Sequence, residues 1–385
     1  MIASIPNAAL EGLSNALLMA WEVWWALVLG FAVSAVVQAW VPRERIQRTL
    51  GSGGPRSIAL ATGLGAASSS CSYAAIAIAR TLFAGGASAA AALAFQFAST
   101  NLVVELGVVI WVLIGWQFAL AELLGGLILI AVMSMLARLF ISPALERAAR
   151  GHAREAAAGH QHHSAGETIA LRQRLTSVDA WSDVAHNFRN DWAMLYREIA
   201  TGFLLAGFVG LLPNDFFNGL FATHAPEPLR LFENVLLGPV IAVLSFVCSV
   251  GNIPLAAVLW SGGIGFGGVI AFVFADLIVL PIVVAYRKYY GRPFALRIVA
   301  LMFVTIVIAA LLVDALFGLA GLVPAARPTR SDIFGSVKLD YKLYLNVLGA
   351  AIFAALFALS MRRGATNPGC CTKPTAATGA TRANP

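Results

Sequence analysis

Two cysteine–serine pairs are the residues of this chain that are best suited to binding or chemistry. Cys71-Ser72 and Cys248-Ser249 each lie inside a long apolar segment. A thiol is a soft ligand that suits thiophilic species such as trivalent arsenic or soft metals, and nearby hydroxyl groups can donate to an oxyanion. A single buried cysteine is more often a small apolar packing residue, so the spacing of the two pairs has to decide between these interpretations.

The two pairs belong to an internal repeat. Shifting the sequence by 177 positions superimposes Cys71-Ser72 on Cys248-Ser249 and Gly85-Gly86 on Gly262-Gly263. Two Phe-x-Phe motifs fall in the same register. We therefore predict an internal duplication with one Cys-Ser pair in each half, and a substrate-binding set consisting of Cys71, Ser72, Cys248, Ser249 and Asn252.

The composition is that of a polytopic membrane protein. Of 385 residues, 59% are hydrophobic and only 12% are charged, about half the charged share of a soluble domain. The net charge of +7 comes from arginines in short segments between apolar runs, as in cytoplasmic loops. Nucleic-acid motifs are absent and the four cysteines do not form a disulfide pattern, so the sequence predicts an all-α polytopic membrane protein.

Charge decides the predicted topology. If both Cys-Ser segments, 57–84 and 234–262, crossed the bilayer once, the basic segment 142–192 would lie outside, against the positive-inside rule. Each segment is therefore predicted to be a re-entrant or broken helix whose arms are too short to span, which makes the two repeats inverted. Seven full spans are predicted beside the two hairpins, at 17–41, 88–114, 116–141, 194–212, 266–286, 294–320 and 341–361. The alternative is a total of eight to ten full spans.

The predicted division of the chain follows these segments. Residues 142–192 form a basic, histidine-containing, mobile cytoplasmic linker that ends in an interfacial amphipathic helix. The other parts are a first membrane repeat at 1–141, a second membrane repeat at 193–321, and a loop with the final transmembrane helix at 322–363. A disordered cytoplasmic tail at 364–385 holds Cys370-Cys371.

Two carboxylates deep in apolar spans are candidates for proton coupling. Ionisable side chains are costly in a membrane and usually functional there. Asp276 lies inside the 266–286 span, and Glu105 follows Asn101 by one helical turn. The alternative is a structural carboxyl, paired for example with Arg80. Glu122 and Asp314 lie nearer the ends of their spans and rank lower.

Other functional classes find little support. The chain lacks a nucleotide-binding motif, and its histidine cluster at 160–163 has no partner ligands at metal-site spacing. We expect no catalytic residue, no metal and no cofactor, and therefore no enzyme. The expected partners are the lipid bilayer and a small-molecule substrate, without nucleic acid. Assembly into a homo-oligomer is left open.

The motifs also resemble a known family. Cys71-Ser72-Tyr73 with Gly85-Gly86-Ala87-Ser88, and the second-repeat run from Cys248 to Ala256 followed by Phe274-Ala275-Asp276-Leu277, resemble a bacterial predicted-permease family that includes the organoarsenical efflux permeases. The resemblance implies an inner-membrane permease. In some members it implies export of trivalent organic arsenicals through membrane thiols, which correspond here to Cys71 and Cys248. The first repeat departs from the family pattern by lacking a Gly and a Pro after its Cys-Ser.

The leading interpretation is a secondary transporter that exports a small thiophilic solute, such as a trivalent organoarsenical, by alternating access. A carrier of a sulfur-containing or other small anion is the alternative within the transporter class. An intramembrane thiol oxidoreductase is the alternative from another class, and it requires cysteines close enough to pair.

Overall fold

The protein is described by a computed structural model over residues 5–40, 54–68, 72–157, 178–221, 226–245, 249–329, 333–334 and 341–366. These ranges are helical apart from turns and short connections, and they contain no strand. The predicted all-α membrane fold is confirmed. Cys71, Cys248, the three histidines at 160–163 and the Cys370-Cys371 tail lie outside the described residues.

The first half contains a long helix, two broken segments and a second long helix. We name them α1 to α6 in chain order: Ile5–Trp40, Pro55–Ser68, Ser72–Ala84, Ala89–Asn101, Val104–Leu113 and Trp116–Phe140. The peripheral helix α7, Pro143–Ala157, follows.

The second half repeats this order. Helices α8 to α15 are Val178–Val209, Asn214–Leu220, Glu227–Ser245, Ser249–Gly262, Phe266–Val273, Leu280–Tyr290, Arg292–Leu319 and Tyr341–Thr366. A 3-10 turn, Phe274–Leu277, extends α12.

Helix boundaries recur at the spacing of the sequence repeat. Helices α3 and α11 begin at Ser72 and Ser249, which are equivalent in the 177-residue shift. Each ends in a turn through an equivalent glycine, Gly86 with φ 114° and Gly263 with φ 115°. Side chains with a Cβ rarely adopt this backbone conformation, so glycine is needed at both turns.

The contacts between helices also recur in the two halves. Helix α2 packs on α4 as α10 packs on α12, while α3 contacts α13 and α11 contacts α5 across the two halves. Helices α1 and α8 pack on each other, as do α6 and α14. The halves are therefore interleaved, and side chains distant in sequence meet between them. The inverted orientation of the halves in the membrane stays a prediction.

The spans at 88–114 and 266–286 are bent where straight helices were expected. Helices α4 and α5 meet at 43°, and α12 with its 3-10 turn meets α13 at 40°. The bends fall at 102–103 and 278–279, at equivalent places in the repeat. The assumption of a continuous turn from Asn101 to Glu105 is therefore wrong, because Glu105 lies in the first turn of a new helix.

Within the described residues, five helices are long and apolar enough to cross a membrane, and seven segments qualify if each bent pair counts as one span. Six of the predicted spans correspond to these segments. The predicted span at 194–212 corresponds only to the short apolar part of α8, whereas Glu227–Ser245 qualifies as a full span. The second Cys-Ser segment is predicted to start at 234, whereas α10 starts seven residues earlier. Its first helix is therefore longer than the short arm that the sequence predicts.

Residues 143–157 form a docked helix, so the prediction of a mobile segment is wrong for this part. Arg150 Nη2 donates to the Ala87 carbonyl at 3.0 Å, and Arg154 Nε donates to the Ala84 carbonyl at 3.1 Å. Glu146 Oε1 accepts from the Ala89 amide at 3.2 Å. The charges of α7 thus satisfy backbone groups at the ends of α3 and α4, which hydropathy reasoning cannot foresee.

The predicted amphipathic helix is the first part of α8, which runs without a break into the apolar segment. Its apolar stripe is covered by protein: Val184, Ala185 and Phe188 are buried. Trp192 packs against Trp24 of α1 and Phe353 of α15 at ring-centroid distances of 5.5 and 5.3 Å. The stripe is therefore a helix–helix interface and not a membrane-surface anchor.

Arg327 closes the end of α11 from the loop that follows α14. Its Nη1 donates to the carbonyls of Trp260 at 2.6 Å and Ile264 at 2.7 Å, and the guanidinium lies 3.9 Å from the Trp260 ring centroid. Partial burial lowers the pKa of Arg327 to about 10. The side chain is still cationic at neutral pH, and a cation at a helix carboxyl end is favourable.

We expect Gly202→Ala to destabilise the packing of α8 on α11. A Cβ at Gly202 would lie 2.1 Å from the Gly251 carbonyl oxygen, and that backbone atom cannot move aside. Overpacking of this kind costs about 1–3 kcal/mol. Thermal unfolding in detergent should show a lower midpoint. Gly63→Ala is the matched control, because a Cβ there has no described atom within 4 Å, and an equal loss in both variants would contradict the assignment.

Candidate functional site

Asp276 is the centre of the polar groups that the two halves bring together. It lies in the 3-10 turn before the bend, where the helix tightens and its regular hydrogen bonding ends. The side chain is completely buried. A carboxyl in this position is surrounded by protein, and its bonding partners determine what it can do.

The hydroxyl of Ser72 is the first of these partners. Ser72 Oγ donates to Asp276 Oδ2 at 3.0 Å, across 204 positions of sequence. Thr100, at the end of α4, donates its hydroxyl to the carbonyls of Gln96 and Phe97 in its own helix, at 3.4 and 3.3 Å. The structure therefore joins two predicted site residues, Ser72 and Asp276, that lie in different repeats. Asp276 Oδ1 has no partner in the described part of the chain.

Glu122 is a second buried carboxyl that sequence reasoning ranked too low. It lies on α6 with 2% of its surface exposed, and neither of its oxygens has a hydrogen-bond partner among the described residues. It is within electrostatic range of Asp276. The available signal was Gly125-Gly126, one turn further on, because adjacent small residues let neighbouring helices approach closely.

Asn101 extends this polar group along α4. Its Nδ2 donates to Thr100 Oγ1 at 3.1 Å and to the Phe97 carbonyl at 3.3 Å, whereas its Oδ1 has no partner in the described ranges. A Cβ at Gly126 would lie 3.8 Å from Asn101 Cβ, so Asn101 lies next to the helix that carries Glu122.

Glu105, the other proton-coupling candidate, is buried on α5 against α1. A Cβ at Gly30 would lie 2.4 Å from Glu105 Cβ, so the two helices are in close contact at this point. Glu105 is not among the hydrogen-bond partners of Asp276. Among the described residues, no hydrogen bond therefore joins the two predicted coupling residues.

Ser249 and Asn252 lie at the start of α11. Both are buried, and Ser245 Oγ donates to Asn252 Oδ1 at 3.2 Å, across the break between α10 and α11. Asn252 Nδ2 has no partner in the described ranges. The helix continues through Pro254 without a break. Cys248 itself is outside the described residues.

Among the described residues, no arginine or lysine forms an ion pair with Asp276 or Glu122. Arg80, the predicted structural partner, lies 4.5 Å from the ring centroid of Tyr289. The partners of Asp276 are hydroxyl and backbone N–H groups. Tyr286 accepts a hydrogen bond from Gln96 Nε2 and donates to Met302 Sδ at 3.6 Å. No described group of three or more His, Cys, Asp or Glu side chains is suited to a metal ion.

A separate groove of about 740 Å³ lies between α2 and α6. Its lining is mostly apolar, for example Ile58, Leu127 and Ile130, and it contains none of the predicted site residues. We therefore assign the chemistry of the protein to the polar cluster around Asp276 and not to this groove.

We expect Ser72→Ala to reduce transport about tenfold, because it removes a buried hydrogen bond to a carboxyl and leaves Asp276 Oδ2 with less support. The measurement is the initial rate of substrate movement in membrane vesicles at matched protein levels. Thr81→Ala is the control, because that hydroxyl bonds only to the Ala77 carbonyl within the same helix. Equal rates for Ser72→Ala and wild type would exclude a role for this contact.

Comparisons with known proteins agree with the architecture. Residues 11–315 match the model of a family described as "Predicted permease". The Mycobacterium tuberculosis (strain ATCC 25618 / H37Rv) protein named "Putative permease Rv2963" is 44% identical over 323 residues, which cover 82% of this chain and 79% of the relative. No solved structure matches the chain.

Proposed function

Because this chain belongs to the "Predicted permease" family, we propose that it is a secondary transporter that exports a small thiophilic solute, with trivalent organoarsenicals as the leading class of cargo. It is a multi-pass protein of the bacterial inner membrane. Its two inverted repeats would alternate in exposing the cargo site to either side of the membrane.

The hydrogen bond from Ser72 to Asp276 carries this proposal. Ser72 follows Cys71 in the chain, so a cargo held by the Cys71 thiol would bind next to the helix start that contacts the buried carboxyl. A change in the charge of Asp276 would then alter the position or polarity of the thiol segment. That is the connection a coupled carrier requires between its cargo and its driving ion.

The chemistry of the cargo follows from the same groups. Trivalent arsenic forms bonds to soft thiolates, and Cys71 and Cys248 are the proposed ligands, with hydroxyl and amide support from Ser72, Ser249 and Asn252. A neutral trivalent organoarsenical avoids repulsion from Asp276 and Glu122. An oxyanion would meet two carboxyls without a compensating described cation, which disfavours the anion carrier.

A growth assay tests the proposal. Cells without their own arsenic efflux systems are grown with and without this protein in methylarsenite, phenylarsine oxide, arsenite and arsenate. We expect resistance to the two organic trivalent compounds and none to arsenate. An immunoblot of the membrane fraction is the control. Equal sensitivity of both strains, with the protein present in the membrane, would reject the proposed cargo and leave the fold unaffected.

A further inference from the structure

We propose that Glu122 and Asp276 together bind one monovalent cation, a proton or a sodium ion, and that this cation drives the transport cycle. The inference rests on the proposed transport function and identifies its coupling site. It adds Glu122, which the sequence ranked below the two separate coupling candidates Asp276 and Glu105.

The first support is the state of Glu122. The side chain is 2% exposed, and neither oxygen accepts a hydrogen bond in the described part of the chain. A buried carboxylate without partners costs several kcal/mol, so this group requires either a proton or a bound cation. A purely structural carboxyl would be expected to have donors around it.

The second support is the proximity of Asp276. Glu122 lies on α6 one turn before Gly125, and a Cβ at Gly125 would lie 2.7 Å from the ring of Phe274, two residues before Asp276. Asp276 Oδ1 is also without a partner in the described ranges. Two like charges in one buried site oppose each other's ionisation. One cation removes this repulsion, and two carboxyls with a single net negative charge between them are suited to a monovalent ion.

The third support is the neutral oxygen atoms beside the pair. Asn101 Nδ2 donates to Thr100 Oγ1, and Asn101 Oδ1 has no partner in the described ranges. Hard cations prefer oxygen ligands of this kind. The group lies next to the bends of both broken helices, where backbone carbonyls are released from regular bonding.

The other ionisable groups on the elements around the pair are occupied elsewhere or bear no positive charge. Asp314 accepts from the Gly267 amide at 2.9 Å, and Glu233 accepts from Asn234 Nδ2 at 3.0 Å. Tyr286 is within electrostatic range of Asp276 but is a neutral phenol bonded to Gln96. Glu105 packs against Gly30, and Arg80 lies over Tyr289. The arginines and lysines of α10, α13 and α14 form no ion pair with either carboxyl.

The test measures cation binding without any cargo. Purified full-length protein in detergent is unfolded by heat in sodium chloride or choline chloride, each at a series of pH values. Infrared difference spectra record the carbonyl band of protonated carboxyl groups over the same pH series. The variants are Glu122→Gln and Asp276→Asn, with Asp314→Asn as the matched control, because its carboxyl is bonded to a backbone amide.

A sodium site predicts a rise in the unfolding midpoint of at least about 2 °C in sodium over choline, because a ligand that binds only the folded state stabilises it. A proton site predicts no sodium effect and a protonated-carboxyl band that follows pH. In both cases the response is lost in Glu122→Gln and Asp276→Asn and retained in Asp314→Asn.

The proposal is overturned if Glu122→Gln responds to sodium and pH as the wild type does. If either neutral variant fails to fold, Glu122→Asp keeps the charge and should retain a weakened response, and an unchanged response there would also count against the site. Since the assay contains no arsenical, a wrong cargo cannot produce these results, and a failed cation site leaves the growth assay valid.

Discussion

Asp276→Asn is expected to abolish concentrative transport while leaving the protein folded. Asparagine has nearly the same shape and keeps an oxygen that can accept from Ser72, so the packing around the 3-10 turn survives. It cannot exchange a proton or balance a bound cation. Loss of a coupling carboxylate should reduce cargo accumulation by at least about tenfold, since the gradient no longer drives the cycle.

The measurement uses everted vesicles with an imposed ion gradient and determines the arsenic content by mass spectrometry. Downhill exchange of cargo in the absence of a gradient should persist in Asp276→Asn, which separates a coupling defect from a binding defect. Asp314→Asn is the control and should accumulate cargo normally. Full accumulation by Asp276→Asn would exclude this residue from coupling.

Replacing either membrane cysteine by serine is the second change with a large expected effect. A serine hydroxyl is smaller than a thiol and is a hard ligand that binds trivalent arsenic poorly. If Cys71 and Cys248 both hold the cargo, Cys71→Ser and Cys248→Ser should each lower the tolerated methylarsenite concentration by about tenfold, toward that of cells without the protein.

The matched control is Cys370→Ser combined with Cys371→Ser, which removes the other two thiols of the chain. Resistance should be unaffected by this change. Retained resistance in both single membrane variants, with normal amounts of protein in the membrane, would contradict a thiol site. Loss of resistance in the tail variant instead would move the cargo-binding role to the tail.

The repeat and its breaks were readable from residues, because glycine and serine leave strong local signals. Gly86 and Gly263 both adopt positive φ, and Ser72 and Ser249 both begin helices. These are local backbone requirements that any correct fold must meet with the same residue types. The membrane class follows from hydropathy for a similar reason, since long apolar helices have few other environments.

The bends of α4–α5 and α12–α13 were missed because hydropathy is the same on both sides of them. A continuous apolar run from 88 to 114 is compatible with a straight or a bent helix. The docking of α7 was missed for a related reason. Charged residues outside a span look solvated in sequence, while Glu146 and Arg150 in fact bond to backbone groups near Ala87 and Ala89.

The sequence by itself determined the environment, the helical class and the duplication, because composition and spacing record these directly. It also made Asp276 a candidate, because a carboxyl is costly in an apolar span. Only the tertiary structure decided which groups share a site. It joined Ser72 to Asp276, packed the helix of Glu122 against the turn that carries Asp276, and placed Glu105 against Gly30 of α1. These neighbours lie on different helices, and the packing of small residues such as Gly30 and Gly126 brings those helices together.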